Sequence, residues 1–192
     1  MIRDIALLGA RLAVGGAMAA HGAQKALGWF DGPGPEKAAE MMHGLGFRPG
    51  TRYGLLASWN EIAAGTLIAL GLGGPVGPSM LISGMLVAQK SVHAKNGFFA
   101  QKGGIEVPFV YSAAALTFAA TDFGALSLDH VLGTREPLRN PYLLALTLAG
   151  GVAGALVVLN GRDTSPEIPA TPTFRGKNSP LPEESEAPAP SS

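Results

Sequence analysis

Residues 5–27 set the terms for the rest of the chain. The segment is apolar over a length that suits a bilayer core of roughly 30 Å, yet it carries Arg11, His21 and Lys25. At about 100° per residue, Lys25 falls roughly 40° and His21 roughly 80° from Arg11, so the three basic groups share one stripe. Ionisable side chains on a spanning helix are costly and by default face a bundle interior, a water-filled cavity or an interface. Polar partners are therefore expected elsewhere in the sequence.

Four more apolar segments follow, at about 53–72, 78–93, 108–121 and 141–159. Asp31-Gly-Pro-Gly-Pro35 and Gly71-Leu-Gly-Gly-Pro75 cannot continue a helix and punctuate the series. The expected fold is all-α: a polytopic membrane helix bundle of four core helices plus a fifth transmembrane helix. The helical domain covers 1–160, and a Pro-, Ser- and Glu-rich tail over 161–192 is expected to be disordered. Residues 36–45 are amphipathic and suit the membrane interface. In the last segment Gly150 and Gly154 offer a small-xxx-small face for close packing.

Charged residues make up 15% of the chain and the formal net charge is zero. There is thus no basic footprint for nucleic acid, and the expected surroundings are lipid. The absence of cysteine excludes disulfides, thiol nucleophiles, cysteine-ligated iron–sulfur clusters and covalent c-type haem. The first segment carries internal charges and no convincing cleavage site, and reads as a retained span.

Five spans divide the basic residues unevenly. Arg3, Arg135 and Arg139 lie at one end. At the other lie Lys25, Lys37, Arg48, Arg52, Lys90, Lys95, Lys102, Arg162, Arg175 and Lys177. The richer end, formed by the first loop, third loop and tail, is expected in the cytoplasm. Glu61 falls roughly 12 Å and His21 roughly 9 Å below that surface, given the helical rise. A polar pocket is expected there, with Glu61 as its acidic centre and His21, Lys25, Asn60, Gln89, His93 and Glu106 as its walls. At the opposite end Arg11 is expected to tie to Asp122 or Asp129.

Each residue also has a plainer reading. Lys90 and Lys102 suit snorkelling to headgroups. His93 fits an interfacial histidine as well as a pocket wall, and His21 a carbonyl-bonded core histidine as well as a functional group. Glu106 favours a helix N-terminus through the dipole. A Glu61–Lys25 pair serves folding as readily as chemistry, but a carboxylate at mid-membrane depth needs a partner or a proton. His21, His93, Glu61 and Glu106 lack the Glu-x-x-His or His-x-x-x-His spacing of a strong metal site, so no metal is expected.

In order and spacing these residues resemble the DoxX family of small bacterial membrane proteins, which is similar to DoxD, the membrane subunit associated with thiosulfate:quinone oxidoreductase. The resemblance rests on Arg11 with Gly15 or Gly16, His21-Gly22-x-x-Lys25, Gly28-Trp29-Phe30, Glu61-x-x-x-Gly65 with Leu67 and Leu70-Gly71, His93 with Gly97-Phe98-Phe99, Glu106-x-Pro108, and Gly124-Ala-Leu-Ser127-Leu-Asp129. It covers about residues 5–132. It implies a four-helix core in the bacterial inner membrane and an association with redox or sulfur metabolism. The expected role is an accessory or quinone-interacting subunit of a membrane redox complex, with protein partners in that complex. If enzymatic, it is a membrane subunit of a quinone-linked oxidoreductase, with Glu61, His21 and Lys25 as the proton and quinone candidates. Without cysteine, redox work runs through a quinone or a partner. The alternatives are a non-catalytic scaffold and, less favoured, a small-molecule carrier.

Overall fold

A computed structural model describes residues 1–165; the tail from 166 to 192 lies outside the described residues. All regular structure among the described residues is helical: α1 Ile2–Leu27, α2 Gly34–Gly44, α3 Gly50–Leu70, α4 Val76–Ala88, α5 Glu106–Thr121, α6 Leu128–Val131, α7 Arg135–Leu138 and α8 Pro141–Asn160. Each of the five apolar segments is a helix. The fourth, at Glu106–Thr121, starts two residues earlier than the sequence pattern indicates because Glu106 enters its first turn.

Local chemistry explains the helix ends. Gly71 adopts the left-handed conformation after α3, its N–H donating to Ile68 O at 3.1 Å while Leu72 N–H donates to Leu67 O at 2.9 Å. That pair of bonds is a Schellman cap and satisfies carbonyls that the helix end leaves open. At the start of α8, Asn140 Oδ1 accepts from Tyr142 N–H at 2.8 Å and Pro141 takes the first helical position. α4 continues into a π-helical turn over Gln89–His93.

A long, close seam runs between α1 and α3. A Cβ added at Gly65 would stand 2.5 Å from both Ala19 N and Gly15 O, and one at Gly22 would stand 2.6 Å from Ser58 O. Only glycine lets the two backbones approach this closely, the packing logic of helices in lipid, where apolar burial supplies little drive of its own. α4 then packs against α3, α5 and α8. The core joins Met18, Ala64, Ile68, Leu81, Met85, Ala115, Phe118 and Phe123.

One sequence expectation changes here. In α8 the close approach is made by Gly151, whose added Cβ would stand 2.7 Å from Ser79 O, with Ala155 buried one turn on; Gly150 faces open space and Gly154 has only Ser83 Oγ near, at 3.7 Å. The contact face is thus rotated by one residue from the Gly150/Gly154 stripe. The amphipathic helix α2 is packed onto the first turns of α3, where Gly54 lies under Ala38 and Ala39, and so belongs to the bundle.

The two ends of the bundle are fastened differently. At one, Arg3 donates to Thr121 O at 3.2 Å and Asp4 Oδ1 accepts from Ala125 N–H at 2.9 Å. At the other, Asp163 N–H donates to Gly46 O at 2.8 Å, Arg48 pairs with Asp163 at 3.0 Å, and the Arg162 guanidinium sits 5.8 Å over the Phe47 ring. The end of α8 and the α2–α3 loop therefore share a face. α1 and α8 are long and apolar enough to cross a bilayer, with mean hydropathies of 1.3 and 2.2, and only 6% of the α8 window is buried.

Candidate functional site

The glycine seam positions the first pair of polar side chains. Lys25 lies one turn past Gly22 on α1, and Glu61 lies one turn before Gly65 on α3. Helical side chains lean toward the N-terminus, so Lys25 reaches back along α1 into the bundle. Its Nζ donates to Glu61 Oε1 at 2.7 Å and to Oε2 at 2.9 Å. The side chains are 14% and 11% exposed, so the pair is largely desolvated. Such a pair gains little over apolar packing, but each member becomes costly without the other.

The pair is not sealed in packing. It forms part of the wall of a cavity of about 790 Å³ built from α1, α2, α3, α4, α5 and α8. His21, Lys25, Asn60, Glu61 and His93 all line it. Asn60 Nδ2 donates to Met80 O at 3.1 Å, which leaves its oxygen and a second N–H available. The His93 ring bonds to Gly103 O through Nδ1 at 2.7 Å. A carbonyl only accepts, so Nδ1 carries a proton. His21 makes no hydrogen bond among the described residues.

Gln89 and Glu106 are not brought to this cavity. Gln89 Nε2 donates to Ser112 Oγ at 3.4 Å. Glu106 accepts from Ala100 N–H at 2.7 Å and holds the preceding loop. Both are diverted by nearer partners. Conversely, sequence reasoning missed Tyr111, Lys37, Met41, Met42, Gly154 and Val158, which also line the cavity. Tyr111 alone carried a usable signal, as a tyrosine within an otherwise apolar segment. Among the described residues no group of three or more His, Asp or Glu is placed to hold a metal ion.

The expected Arg11 tie is not formed. Arg11 is buried at the opposite end, beside Gly71 and Ser127, and donates to Leu126 O; its Nε and second terminal nitrogen have no hydrogen-bond partner among the described residues. Asp122 instead pairs with Arg135 at 3.2 Å and Arg139 at 3.3 Å. Asp129 accepts from Gly73 N–H at 3.0 Å, Gly74 N–H at 2.8 Å and Thr134 Oγ1 at 2.9 Å. Asp122 is satisfied by arginines of its own connector, and Asp129 by Thr134 and by the backbone N–H groups of the α3–α4 turn, which leaves neither for Arg11. These contacts organise a smaller cavity of about 200 Å³ at that end.

A helical bundle in which α1 and α8 are long and apolar enough to cross a bilayer, with an ion pair facing a cavity, has the build of a small membrane protein. The DoxX family model matches residues 6–94, and that segment is a DoxX domain. It holds Arg11, His21, Lys25, Asn60, Glu61, Gln89 and His93, whereas Glu106, Tyr111 and all of α8 follow it. Comparison with curated proteins and with solved structures finds no match.

Proposed function

We propose that the chain is a quinone-interacting membrane subunit of a redox complex, with the Glu61 cavity as the seat of a quinone headgroup. α1, α3, α4 with its π-helical turn, α5 and α8 cross the bilayer in this reading, with the lysine-rich end in the cytoplasm. The observation that carries it is that the Lys25–Glu61 pair lines a cavity instead of being packed shut. An ion pair serving folding alone needs no such space.

The residues present fit the group. The volume lies within the roughly 300–1,000 Å³ typical of small-molecule sites, which are apolar with a few converging polar groups. His21, Lys25, Asn60 and Tyr111 offer hydrogen-bond donors of the kind ring carbonyls accept, while Met18, Met85 and Leu56 supply apolar wall. Bound quinone supplies a two-electron, two-proton couple. Lys25 holds the Glu61 carboxylate at the wall, and Glu61 is the group that accepts or delivers a proton at its oxygens.

The test is quinone binding and quinone-dependent turnover by Glu61→Gln, with helicity and dispersity checked in mild detergent. The reading predicts folded protein that has lost both. Wild-type turnover in the folded variant sinks it.

A scaffold role is the second reading, favoured by the outward face of α8, where Tyr142, Leu146 and Val157 are exposed. Recovery of the same protein partners by the wild type and by Glu61→Gln, with no quinone bound to either, favours it over the first.

A further inference from the structure

The cavity has a side as well as a floor. Tyr53 on α3 reaches the end of α8, its hydroxyl 2.9 Å from where a Cβ on Gly161 would lie. One turn inward, Leu56 on α3 and Val158 on α8 both line the cavity. One turn further, Asn60 lies against Gly84, and Ser83 lies against Gly154. α3 and α8 thus run side by side in opposite directions, but α8 takes its packing from α4. Between them the wall is made of side chains that also face outward: Leu56 is 53% exposed, and Gly154 has no side chain to close the gap.

We infer that this α3–α8 slot is a lateral opening through which a membrane-dissolved ligand enters, seating its head beside Lys25–Glu61 and its apolar tail along Leu56, Gly154 and Val158. The inference rests on the quinone reading above and commits to a tailed ring compound over a free, water-soluble one. Two observations support a tail. The slot opens among outward-facing apolar residues, toward lipid. The inner wall is rich in methionine, with Met18, Met41, Met42 and Met85, a flexible surface that accommodates a flexible chain. One edge of the slot is supplied by α8, which follows the DoxX-matched segment.

Gly154 permits a clean steric test. A Cβ there meets only Ser83 Oγ, at the ordinary contact distance of 3.7 Å, so a side chain can be added at this lining position without its Cβ striking backbone. Gly150 has nothing within 4 Å and provides a control on the same helix. The full chain in lipid nanodiscs is titrated with decyl-tailed ubiquinone and with the tail-less ubiquinone headgroup. Gly154→Leu is expected to weaken the tailed compound by about tenfold or more, the equivalent of about two buried methylenes, while headgroup binding and all binding by Gly150→Leu stay at wild-type values. Val158→Phe fills the slot from the next turn and gives the same readout should Gly154→Leu not fold. Equal affinity of wild type and slot-filled variants for the tailed compound overturns the slot alone. Failure of the wild type to bind either compound overturns the quinone reading and the slot with it.

Discussion

Lys25 Nζ is within 2.9 Å of both carboxylate oxygens of Glu61, across 36 residues of sequence and the glycine-lined seam between α1 and α3. Removing one partner strands the other charge in a largely desolvated wall. Lys25→Met is expected to lower unfolding stability by about 3 kcal/mol, with the double change Lys25→Met/Glu61→Leu recovering most of it. Detergent-based thermal or SDS unfolding of the three proteins checks this. A double variant no more stable than Lys25→Met would mean that the two charges do not share one energetic unit.

The seam itself predicts a sharp positional contrast. Gly65→Leu places a side chain 2.5 Å from backbone atoms of α1, which cannot retreat as a flexible side chain would. A loss of at least about 3 kcal/mol is expected, at or beyond the upper end of ordinary overpacking. Gly150→Leu, on open helix surface, is expected to unfold as the wild type does. Similar behaviour of the two variants in one unfolding assay contradicts the packing described.

At the other end, Asp129 is buried and accepts two backbone N–H bonds and one hydroxyl bond. Asp129→Ala leaves Gly73 and Gly74 without their acceptor and is expected to cost about 2–4 kcal/mol, since bonds to charged groups are worth about 1.5–3 kcal/mol each and are not additive. Hydrogen exchange should speed at Gly73 and Gly74 before it does in α3. Unchanged exchange at both glycines would show that Asp129 does not hold that turn.

Asp163 supplies the pH dependence. Its carboxyl is held below the ordinary aspartate value of 3.8, first by the Ser165 backbone N–H, then by the Ser165 side chain, and also by the Arg48 charge. A depressed folded value means that the contribution is present at and above the unfolded value and is lost as pH falls through the lower, folded one. The contact between the end of α8 and the α2–α3 loop should therefore persist at pH 5 and loosen only below the ordinary aspartate range. Carboxyl NMR of Asp163 should give a midpoint under 3.8 that rises in Ser165→Ala. A wild-type midpoint at or above 3.8 contradicts it.

The helices were legible because apolar length, glycine and proline punctuation and capping residues all agree locally. The gathering of His21, Lys25, Asn60, Glu61 and His93 on one cavity was legible because alternating helix direction brings the ends of α1 and α4 to the start of α3. What was not legible was competition among partners. Asp122 and Asp129 could reach Arg11 by chain order, yet nearer arginines and backbone N–H groups take them. Glu106 and Gln89 are likewise captured within a few residues or by the adjacent helix. The Gly150/Gly154 stripe misled because helical periodicity gives a face but not its rotation; Gly151 and Ala155 carry the contact. The α8 wall of the cavity depends on tertiary placement that no local pattern encodes.

The most direct test of the site is the charge-reversed double variant Lys25→Glu/Glu61→Lys, measured for folding and for decyl-ubiquinone binding in nanodiscs. It keeps the attraction between α1 and α3 while exchanging acid and base in the cavity wall. The predicted result is a folded, helical protein whose quinone affinity is at least about tenfold weaker than wild type, a change of about 1.4 kcal/mol in binding. A folded, charge-reversed protein that binds quinone as the wild type does would contradict the assignment and leave Lys25–Glu61 as a structural pair.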